Sequence, residues 1–237
     1  MLDLLFLGSG NAFGAEGRAF SSFLLNGRYL FDCGPTVLQQ LHKAQLTSDA
    51  IDVVSISHFH ADHFFGLAFL LLAAKYGGRT TDLTIVGPPG IRDRTERLLA
   101  LGYPSVIENP NYERRYVEVT DGSCHRIGDL NLTVARVEHV DEFECFAFRA
   151  DVAGRSVVYS GDTTLCDGLL RLVDDADVIV TECSCTDVPV HLSPAGVEEV
   201  ARRAPGAQII VTHLDGHQHP NNFDGLHVAE DLKRFRF

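Results

Sequence analysis

The sequence predicts an α/β protein in which two β-sheets pack face to face and helices cover both outer faces. In the first and last thirds of the chain, short apolar strand patterns alternate with amphipathic helix patterns. The middle third is rich in strands, because apolar and β-branched runs follow one another there between turn residues. Alternating strands and helices in both terminal thirds, around a strand-rich centre, are typical of this layered architecture. No linker, repeat or low-complexity tract interrupts residues 1–237, so we predict one domain.

The individual elements are predicted from hydrophobic periodicity and from turn and capping residues. In the N-terminal half, Asn26-Gly27 indicates a hairpin turn and Gly77-Gly78 ends a helix. The strands predicted there are residues 2–7, 22–25, 29–31, 53–57, 83–86 and 116–119, and the helices are residues 35–43, 64–76 and 89–101. In the C-terminal half, Gly154-Arg155 forms a turn and Ser193 caps a helix. The strands predicted there are residues 130–137, 145–152, 156–160, 178–181 and 209–212, and the helices are residues 194–204 and 226–235.

Composition limits the classes of function. Acidic residues outnumber basic residues by 32 to 20, which gives a formal net charge of −12 at pH 7. A chain without a basic run is a poor general binder of nucleic acid, because phosphate contacts need clustered Lys and Arg. The apolar start carries Asp3 and no basic region, so it is predicted to be a strand rather than a signal peptide, and no apolar run is long enough to cross a membrane. Six cysteines without a Cys-x-x-Cys pair favour reduced thiols and a cytoplasmic location.

The most informative stretch is residues 58–63, His-Phe-His-Ala-Asp-His, which follows a buried strand pattern. Imidazole nitrogen and carboxylate oxygen are ligands of Zn²⁺, Mn²⁺ and Fe²⁺. On a tight turn, His58 and His60 can point one way while Asp62 and His63 point another, so one loop could supply two neighbouring metal ions. The alternative is a polar loop that is rich in histidine by chance. Neither core nor turn formation favours four ligand-type side chains at this spacing.

Three further ligand-type residues stand where predicted strands end. His139 follows the strand at residues 130–137, Asp162 follows the strand at 156–160, and His213 follows the strand at 209–212. The loops at the ends of buried strands are where α/β sheets place their sites. Each residue alone would more often be a structural histidine or a capping aspartate. Together with the first motif, the three predict a single metal centre.

These motifs resemble those of the metallo-β-lactamase-fold hydrolases, whose His-x-His-x-Asp-His signature matches residues 58–63. The resemblance implies a four-layer αββα sandwich, the metallo-β-lactamase fold, with a binuclear site. The implied metal ligands are His58, His60 and His139 for one ion and Asp62, His63 and His213 for the other, with Asp162 as the bridge. Asp32 matches an early aspartate that supports the site from behind in that family. Two divalent ions are expected, with Zn²⁺ first and Mn²⁺ or Fe²⁺ as alternatives.

Within that superfamily, the sequence is similar to the ribonuclease Z-like phosphodiesterases. The Gly8-Ser-Gly10 loop resembles their first loop, and Glu182 and His191 match a pair that serves the leaving oxygen in that subfamily. The resemblance therefore gives Asp62, Glu182 and His191 catalytic roles. It implies a metal-dependent hydrolase in which a metal-bridged hydroxide attacks a phosphodiester.

Three differences from that subfamily narrow the expected substrate. Thr181 replaces a motif histidine, and the residues after His213 depart from the usual pattern. In addition, only 23 positions separate His139 from Asp162, where transfer-RNA-processing members carry a long arm. We therefore expect no transfer-RNA-gripping arm, and a small-molecule or short nucleic-acid phosphodiester as substrate.

Other functions remain as alternatives. Thioesters, lactones and arylsulfates are cleaved on the same scaffold, because a fold does not fix a function. A mononuclear-iron persulfide dioxygenase would use only the counterparts of His58, His139 and Asp162, so the other ligands favour two metals. The resemblance also makes a homodimer an expectation. Candidates for lining the substrate cleft are Phe13, His217 and His219.

Overall fold

Two seven-stranded sheets form the frame of the protein. The computed structural model describes residues 1–108, 111–185, 188–216 and 223–237. Numbered along the chain, the strands of the first sheet are β1 (Asp3–Gly8), β2 (Ser22–Leu25), β3 (Tyr29–Phe31), β4 (Val53–Ser55), β5 (Leu83–Gly87), β6 (Arg114–Glu118) and β14 (Arg234–Arg236). They lie in the order β14-β1-β2-β3-β4-β5-β6, and the pairs from β3 to β6 are parallel.

The second sheet is built from the strand-rich centre and the last third of the chain. Its strands are β7 (Cys124–Ile127), β8 (Leu130–Val137), β9 (Cys145–Val152), β10 (Arg155–Tyr159), β11 (Val178–Glu182), β12 (Gln208–Thr212) and β13 (Leu226–Val228). Their order is β13-β12-β11-β10-β9-β8-β7. Strands β10 to β13 are parallel to one another, and β9 is antiparallel to both β8 and β10. Consequently β8, β10, β11 and β12 all end at the same edge of the sheet.

Helices cover both outer faces, as the sequence predicts. They are α1 (Val37–Lys43), α2 (Ala61–Phe64), α3 (Leu67–Tyr76), α4 (Ile91–Gly102), α5 (Asp167–Leu172) and α6 (Pro194–Arg203). Buried residues of α1, α3 and α4 pack on the first sheet, and those of α5 and α6 pack on the second. A third apolar cluster, rich in phenylalanine, lies between the two sheets. The result is the predicted four-layer αββα sandwich.

The closing helix predicted for residues 226–235 is wrong. Residues Leu226–Val228 and Arg234–Arg236 are strands that extend one edge of each sheet. The terminal Arg-Phe-Arg-Phe alternates with the period of a strand, and its two phenylalanines pack against the cluster between the sheets. Two further elements were not predicted. Strand β7 is an edge strand with polar, partly exposed residues, and α5 has only six residues.

The helix predicted for residues 64–76 begins three residues later, at Leu67, because Phe65-Gly66 separate α3 from the preceding short helix α2. A Cβ atom at Gly66 would lie only 2.0 Å from the carbonyl oxygen of Gly34. Glycine therefore permits the close approach of this segment to the loop after β3. Among the described residues, no helix is long and apolar enough to span a membrane.

Replacing Phe23 with Ala should destabilise the fold strongly. Phe23 is 1% exposed, and its ring stacks on Phe31 with a centroid separation of 4.8 Å. Loss of such a side chain from a core removes packing and leaves a cavity, which costs about 3–5 kcal/mol. Urea unfolding would measure the change in the free energy of unfolding. As a control, Phe13→Ala at a position that is 92% exposed should change it by less than about 0.5 kcal/mol, and equal effects of the two changes would contradict this assignment of the core.

Candidate metal centre

The histidine-rich loop leaves the end of β4 and enters α2. His60 has extended backbone angles and is the residue before the helix, so its side chain and those within α2 project differently. The carbonyl oxygen of Ser57 accepts a hydrogen bond from the N–H of Phe146 on β9 (3.0 Å). This bond joins the loop of the first sheet to the second sheet. The motif thereby lies beside the strand ends that carry the downstream ligand-type residues.

The first group of ligand-type atoms comes from His58, His60 and His139. The Nδ1 atom of His60 lies 2.9 Å from Nε2 of His58 and 3.2 Å from Nε2 of His139. All three nitrogens therefore converge on one point. Oδ2 of Asp162 lies 3.9 Å from the His58 nitrogen and 3.8 Å from the His139 nitrogen. Three imidazoles and one carboxylate thus form a four-residue cluster.

The second group comes from Asp62, His63 and His213. Oδ2 of Asp62 lies 3.2 Å from Nε2 of His63 and 3.4 Å from Nε2 of His213. Asp162 joins this group too, because its Oδ1 lies 3.4 Å from His63 Nε2 and its Oδ2 lies 3.2 Å from His213 Nε2. The single carboxylate of Asp162 therefore faces both groups, as a bridging ligand would.

The distances between the donor atoms and the presence of buried polar atoms without partners both fit metal ions. Ligand nitrogens about 2.0–2.1 Å from a tetrahedral Zn²⁺ are roughly 3.3 Å apart, and most of the separations above are close to that value. Nε2 of His63 and Oδ1 of Asp162 are buried and have no hydrogen-bond partner among the described residues. Buried polar atoms are rarely left unpaired without a reason. The donor set therefore fits two divalent cations.

The buried negative charge at this centre also fits the binding of cations. The buried carboxylates of the described chain, Asp32, Asp62, Asp162 and Glu182, all lie at this centre. Burying several negative charges together is very costly unless positive charge compensates them. Protonated histidines supply part of that charge without metal, and cations would supply it with metal.

The two groups differ in proton affinity. Burial is the largest influence on the pKa values of His58, His60 and His139, and it holds each below its ordinary value. Burial also opposes protonation of His63 and His213, but the nearby carboxylates, Asp162 foremost, outweigh it and raise both pKa values. A metal requires neutral imidazole. Neutral imidazoles thus favour metal binding by the first group, whereas a cation at the second group competes with protons.

Most imidazoles of the two groups have a hydrogen-bond partner on their other nitrogen. Nδ1 of His58 lies 2.9 Å from Oγ of Ser57, and Nδ1 of His139 lies 2.8 Å from the carbonyl oxygen of Val190. His60 is held by packing instead, because the ring of Phe143 stands edge-on to it at 5.1 Å. Such partners fix the tautomer and the direction of a ligand. None of these three partners was predicted from the sequence, because no motif marks them.

Asp32 contacts His63 on the side away from the other ligand-type residues of its group. Its Oδ2 accepts hydrogen bonds from His63 Nδ1 (2.7 Å), from Ser57 Oγ (2.8 Å) and from the hydroxyl of Tyr159 (2.6 Å). Asp32 and His213 both have left-handed backbone angles, with φ of 55° and 53°. Such angles are uncommon outside glycine and are found where function constrains the backbone.

Glu182 and His191 form a pair beside the ligands. Nδ1 of His191 donates to Oε2 of Glu182 at 2.8 Å, and the N–H of Thr163 donates to Oε1 at 2.6 Å. Burial lowers the pKa of His191, but the bond and charge of Glu182 outweigh it and raise that pKa to about 9. Because Nδ1 is committed to Glu182, Nε2 is the nitrogen available to a substrate. Phe13 and His191 both line the cleft over the ligands, whereas His217 and His219 fall outside the described residues.

A family model described as "Anti-Pycsar protein Apyc1" matches residues 2–226, nearly the whole length. The chain belongs to this family. Ribonuclease Z of Methanosarcina mazei is 27% identical to this Apyc1-family member, and the alignment covers 98% of this chain and 97% of that protein. Among solved structures, the short form of human tRNase Z has a TM-score of 0.80 at 24% identity, with 99% of this chain and 98% of that chain covered.

A second solved structure supports the same fold. The metallo-β-lactamase fold protein YhfI of Bacillus subtilis has a TM-score of 0.78 at 20% identity, with 99% of this chain and 98% of that chain covered. The predicted resemblance is therefore confirmed: this Apyc1-family member is a ribonuclease Z-like metallohydrolase with the metallo-β-lactamase fold.

Replacing Asp162 with Ala should be the most damaging single change at the centre, because both groups lose the ligand they share. Partners that only orient a ligand typically matter about 10–100-fold, so we expect metal affinity and turnover to fall by more than about 100-fold. Elemental analysis and turnover on the same sample would measure both. Asp141→Ala, at an exposed carboxylate two residues from His139, is the matched control and should keep its metal. Normal metal content in the Asp162 variant would rule out the bridging role.

Proposed function

We propose that this chain is a binuclear, metal-dependent phosphodiesterase that cleaves a small phosphodiester or a short nucleic acid. The observation that carries the proposal is the pair of ligand groups that share Asp162 beside the Glu182–His191 pair. The comparisons support a metal-dependent hydrolase, because the curated relative is named ribonuclease Z and a solved neighbour is a tRNase Z. Zn²⁺ is the cation we expect, since imidazole and carboxylate suit it well.

Each part of the site would have a separate task. Two divalent cations, when bound, would lower the pKa of a shared water and neutralise charge on the phosphate oxygens. Asp162 and the two ligand groups would hold those charges at fixed positions. His191, oriented by Glu182 through Nδ1, would donate a proton from Nε2 to the departing oxygen. The second hydrogen bond on Glu182, from Thr163, keeps this carboxylate in place during the step.

Several observations favour a small substrate over a folded transfer RNA. The segment between His139 and Asp162 is largely β9 and β10, a hairpin within the second sheet. The alignment with ribonuclease Z is 299 positions long, whereas this chain has 237 residues, so the relative carries segments that have no counterpart here. The net charge of −12 also disfavours broad contact with a polyanion. A homodimer and a cytoplasmic location stay predictions.

The Glu182–His191 pair favours a substrate with an oxygen leaving group, such as a phosphodiester, over a thioester. An alkoxide is a poor leaving group and needs a proton, whereas a thiolate does not. A persulfide dioxygenase would not require the second ligand group, which is complete among the described residues. A binuclear phosphodiesterase therefore accounts for more of the buried polar side chains than either alternative does.

Metal content and turnover measured on one sample would test the proposed function. We expect two equivalents of Zn²⁺ or Mn²⁺ per chain and chelator-sensitive cleavage of bis(p-nitrophenyl) phosphate. Removing metal leaves the buried carboxylates uncompensated, so the chelated protein should also unfold at a lower temperature. One equivalent of iron without cleavage would overturn the phosphodiesterase and favour the dioxygenase.

Replacing His191 with Ala should reduce turnover in a way that depends on the leaving group. A general acid contributes about 10²–10⁴-fold when the departing oxygen needs a proton. We expect a loss of that size for a dinucleoside phosphate and a much smaller loss for bis(p-nitrophenyl) phosphate, since p-nitrophenolate leaves without one. His42→Ala, at an exposed position on α1, is the control. Equal losses for the two substrates would exclude the proton-donating role.

A further inference from the structure

The carboxylate of Asp231 joins the end of the chain to its beginning. Asp231 lies between β13 and β14 and is half-buried. Its Oδ1 accepts hydrogen bonds from the N–H (3.0 Å) and from the Oγ (2.9 Å) of Ser9, and its Oδ2 accepts one from the N–H of Ala19 (2.7 Å). Ser9 and Ala19 stand near the two ends of the segment between β1 and β2, here called the β1–β2 loop (residues 9–21). One carboxylate therefore holds both ends of this loop.

The tip of the β1–β2 loop forms one wall of the cleft over the metal ligands. Asn11, Ala12 and Phe13 line this cleft, which has a volume of about 270 Å³. The hydrogen bonds within the tip are local, since the N–H groups of Phe13 and Gly14 donate to Oδ1 (3.1 Å) and to the carbonyl oxygen (2.9 Å) of Asn11. The side chain of Phe13 is 92% exposed and so contributes little packing. The position of the tip therefore depends on how the ends of the loop are held.

The β1–β2 loop is also bonded to the segment that carries a ligand-type residue. The N–H of Leu214 donates to the carbonyl oxygen of Ser9 (2.9 Å), and the N–H of Asn11 donates to the carbonyl oxygen of Leu214 (3.2 Å). Leu214 directly follows His213 of the second group. Ser9 is thus bonded to Asp231 through its N–H and hydroxyl and to Leu214 through its carbonyl oxygen. These bonds set the distance between the cleft wall and the metal centre.

Charge strengthens the contact between Asp231 and Ser9. Nη1 of Arg18 donates to Oγ of Ser9 (2.9 Å), and the same hydroxyl donates its proton to Asp231. A guanidinium, a hydroxyl and a carboxylate therefore form a chain in which each bond polarises the next. Hydrogen bonds to an ionised group are about twice as strong as those between neutral groups. A neutral side chain at position 231 would lose this advantage.

We propose that Asp231 is a positioning residue, which holds the β1–β2 loop at the distance from the metal centre where Asn11 and Phe13 contact the substrate. This role rests on the proposed phosphodiesterase and assigns part of its substrate binding to a residue outside the cleft. The alternative is a purely structural tie between the end of the chain and β1. Such a tie would affect the free energy of unfolding and leave substrate binding unchanged.

Asp231→Asn in the metal-loaded protein tests the positioning role. The amide has the same size, but its NH₂ group cannot accept the bond from Ser9 or Ala19. We expect the KM for bis(p-nitrophenyl) phosphate to rise by roughly 10- to 100-fold with little change in kcat, because a cleft wall displaced by about 1 Å loses its contacts with the substrate. The inhibition constant of inorganic phosphate should stay unchanged, since this ion can reach the metal centre without touching the wall. Ser9→Ala removes only the hydroxyl bond and should raise KM by a smaller factor.

A tryptophan at position 13 would report on the loop without turnover. The chain has no tryptophan, so Phe13→Trp introduces a single fluorophore at the tip. We expect its fluorescence anisotropy to fall when Asp231→Asn is added, since the tip then moves more freely on the nanosecond timescale. If the unaltered protein cleaves no phosphodiester, the proposed function fails, and the anisotropy alone decides whether Asp231 positions the loop.

Asp224→Asn, at an exposed carboxylate in the same C-terminal segment, is the matched control and should behave as the unaltered protein in both measurements. An unchanged KM or an unchanged anisotropy in Asp231→Asn would overturn the positioning role, even if urea unfolding showed a loss of stability. Equal rises in KM and in the phosphate inhibition constant would also overturn it, because the defect would then lie in the metal centre. If Asp231→Asn does not fold, Ser9→Ala decides by the same criteria.

Discussion

The carboxylate of Asp32 has no exposed surface, and it accepts hydrogen bonds from both sheets. Its partners on the first-sheet side are the N–H and Oγ of Ser57 and Nδ1 of His63, and its partner on the second sheet is the hydroxyl of Tyr159. A buried charge is tolerated only when such bonds satisfy it. One side chain therefore links the two sheets, the histidine-rich loop and the ring of His63.

The other buried carboxylates also contact neighbouring groups. Asp162 faces both ligand groups, and Glu182 holds His191 beside them. Strand β11 is apolar at residues 178–180 and ends at Glu182, and Asp162 lies in the loop three residues after the end of β10. The apolar residues of these strands build the core, and the polar residues at or just after the strand ends lie at the shared edge. The same strands therefore contribute apolar residues to the core and deliver polar residues to the site.

Hydrophobic periodicity predicted the central elements well because their patterns are strong. The boundaries of β2, β3, β8 and β9 agree with the sequence prediction residue for residue. Prediction from hydrophobic periodicity failed at the end of the chain. Two short strands separated by a turn have apolar residues there at spacings that also occur in a helix. The last strand is stabilised by pairing with β1 at the opposite end of the chain, and β13 is stabilised by pairing with β12 across an intervening segment. Long-range pairing of that kind leaves no local signal.

The sequence by itself determined which residues could bind metal, because ligand chemistry is a property of side-chain type and spacing. It also determined the fold class, because alternation of strand and helix patterns restricts how the layers can pack. Only the tertiary structure decided that Asp162 faces both ligand groups, that Phe143 and Val190 orient two of the imidazoles, and that Phe13 stands exposed beside the cleft. Those relations join residues from distant strands and loops, and they exist only after the sheets have packed against each other.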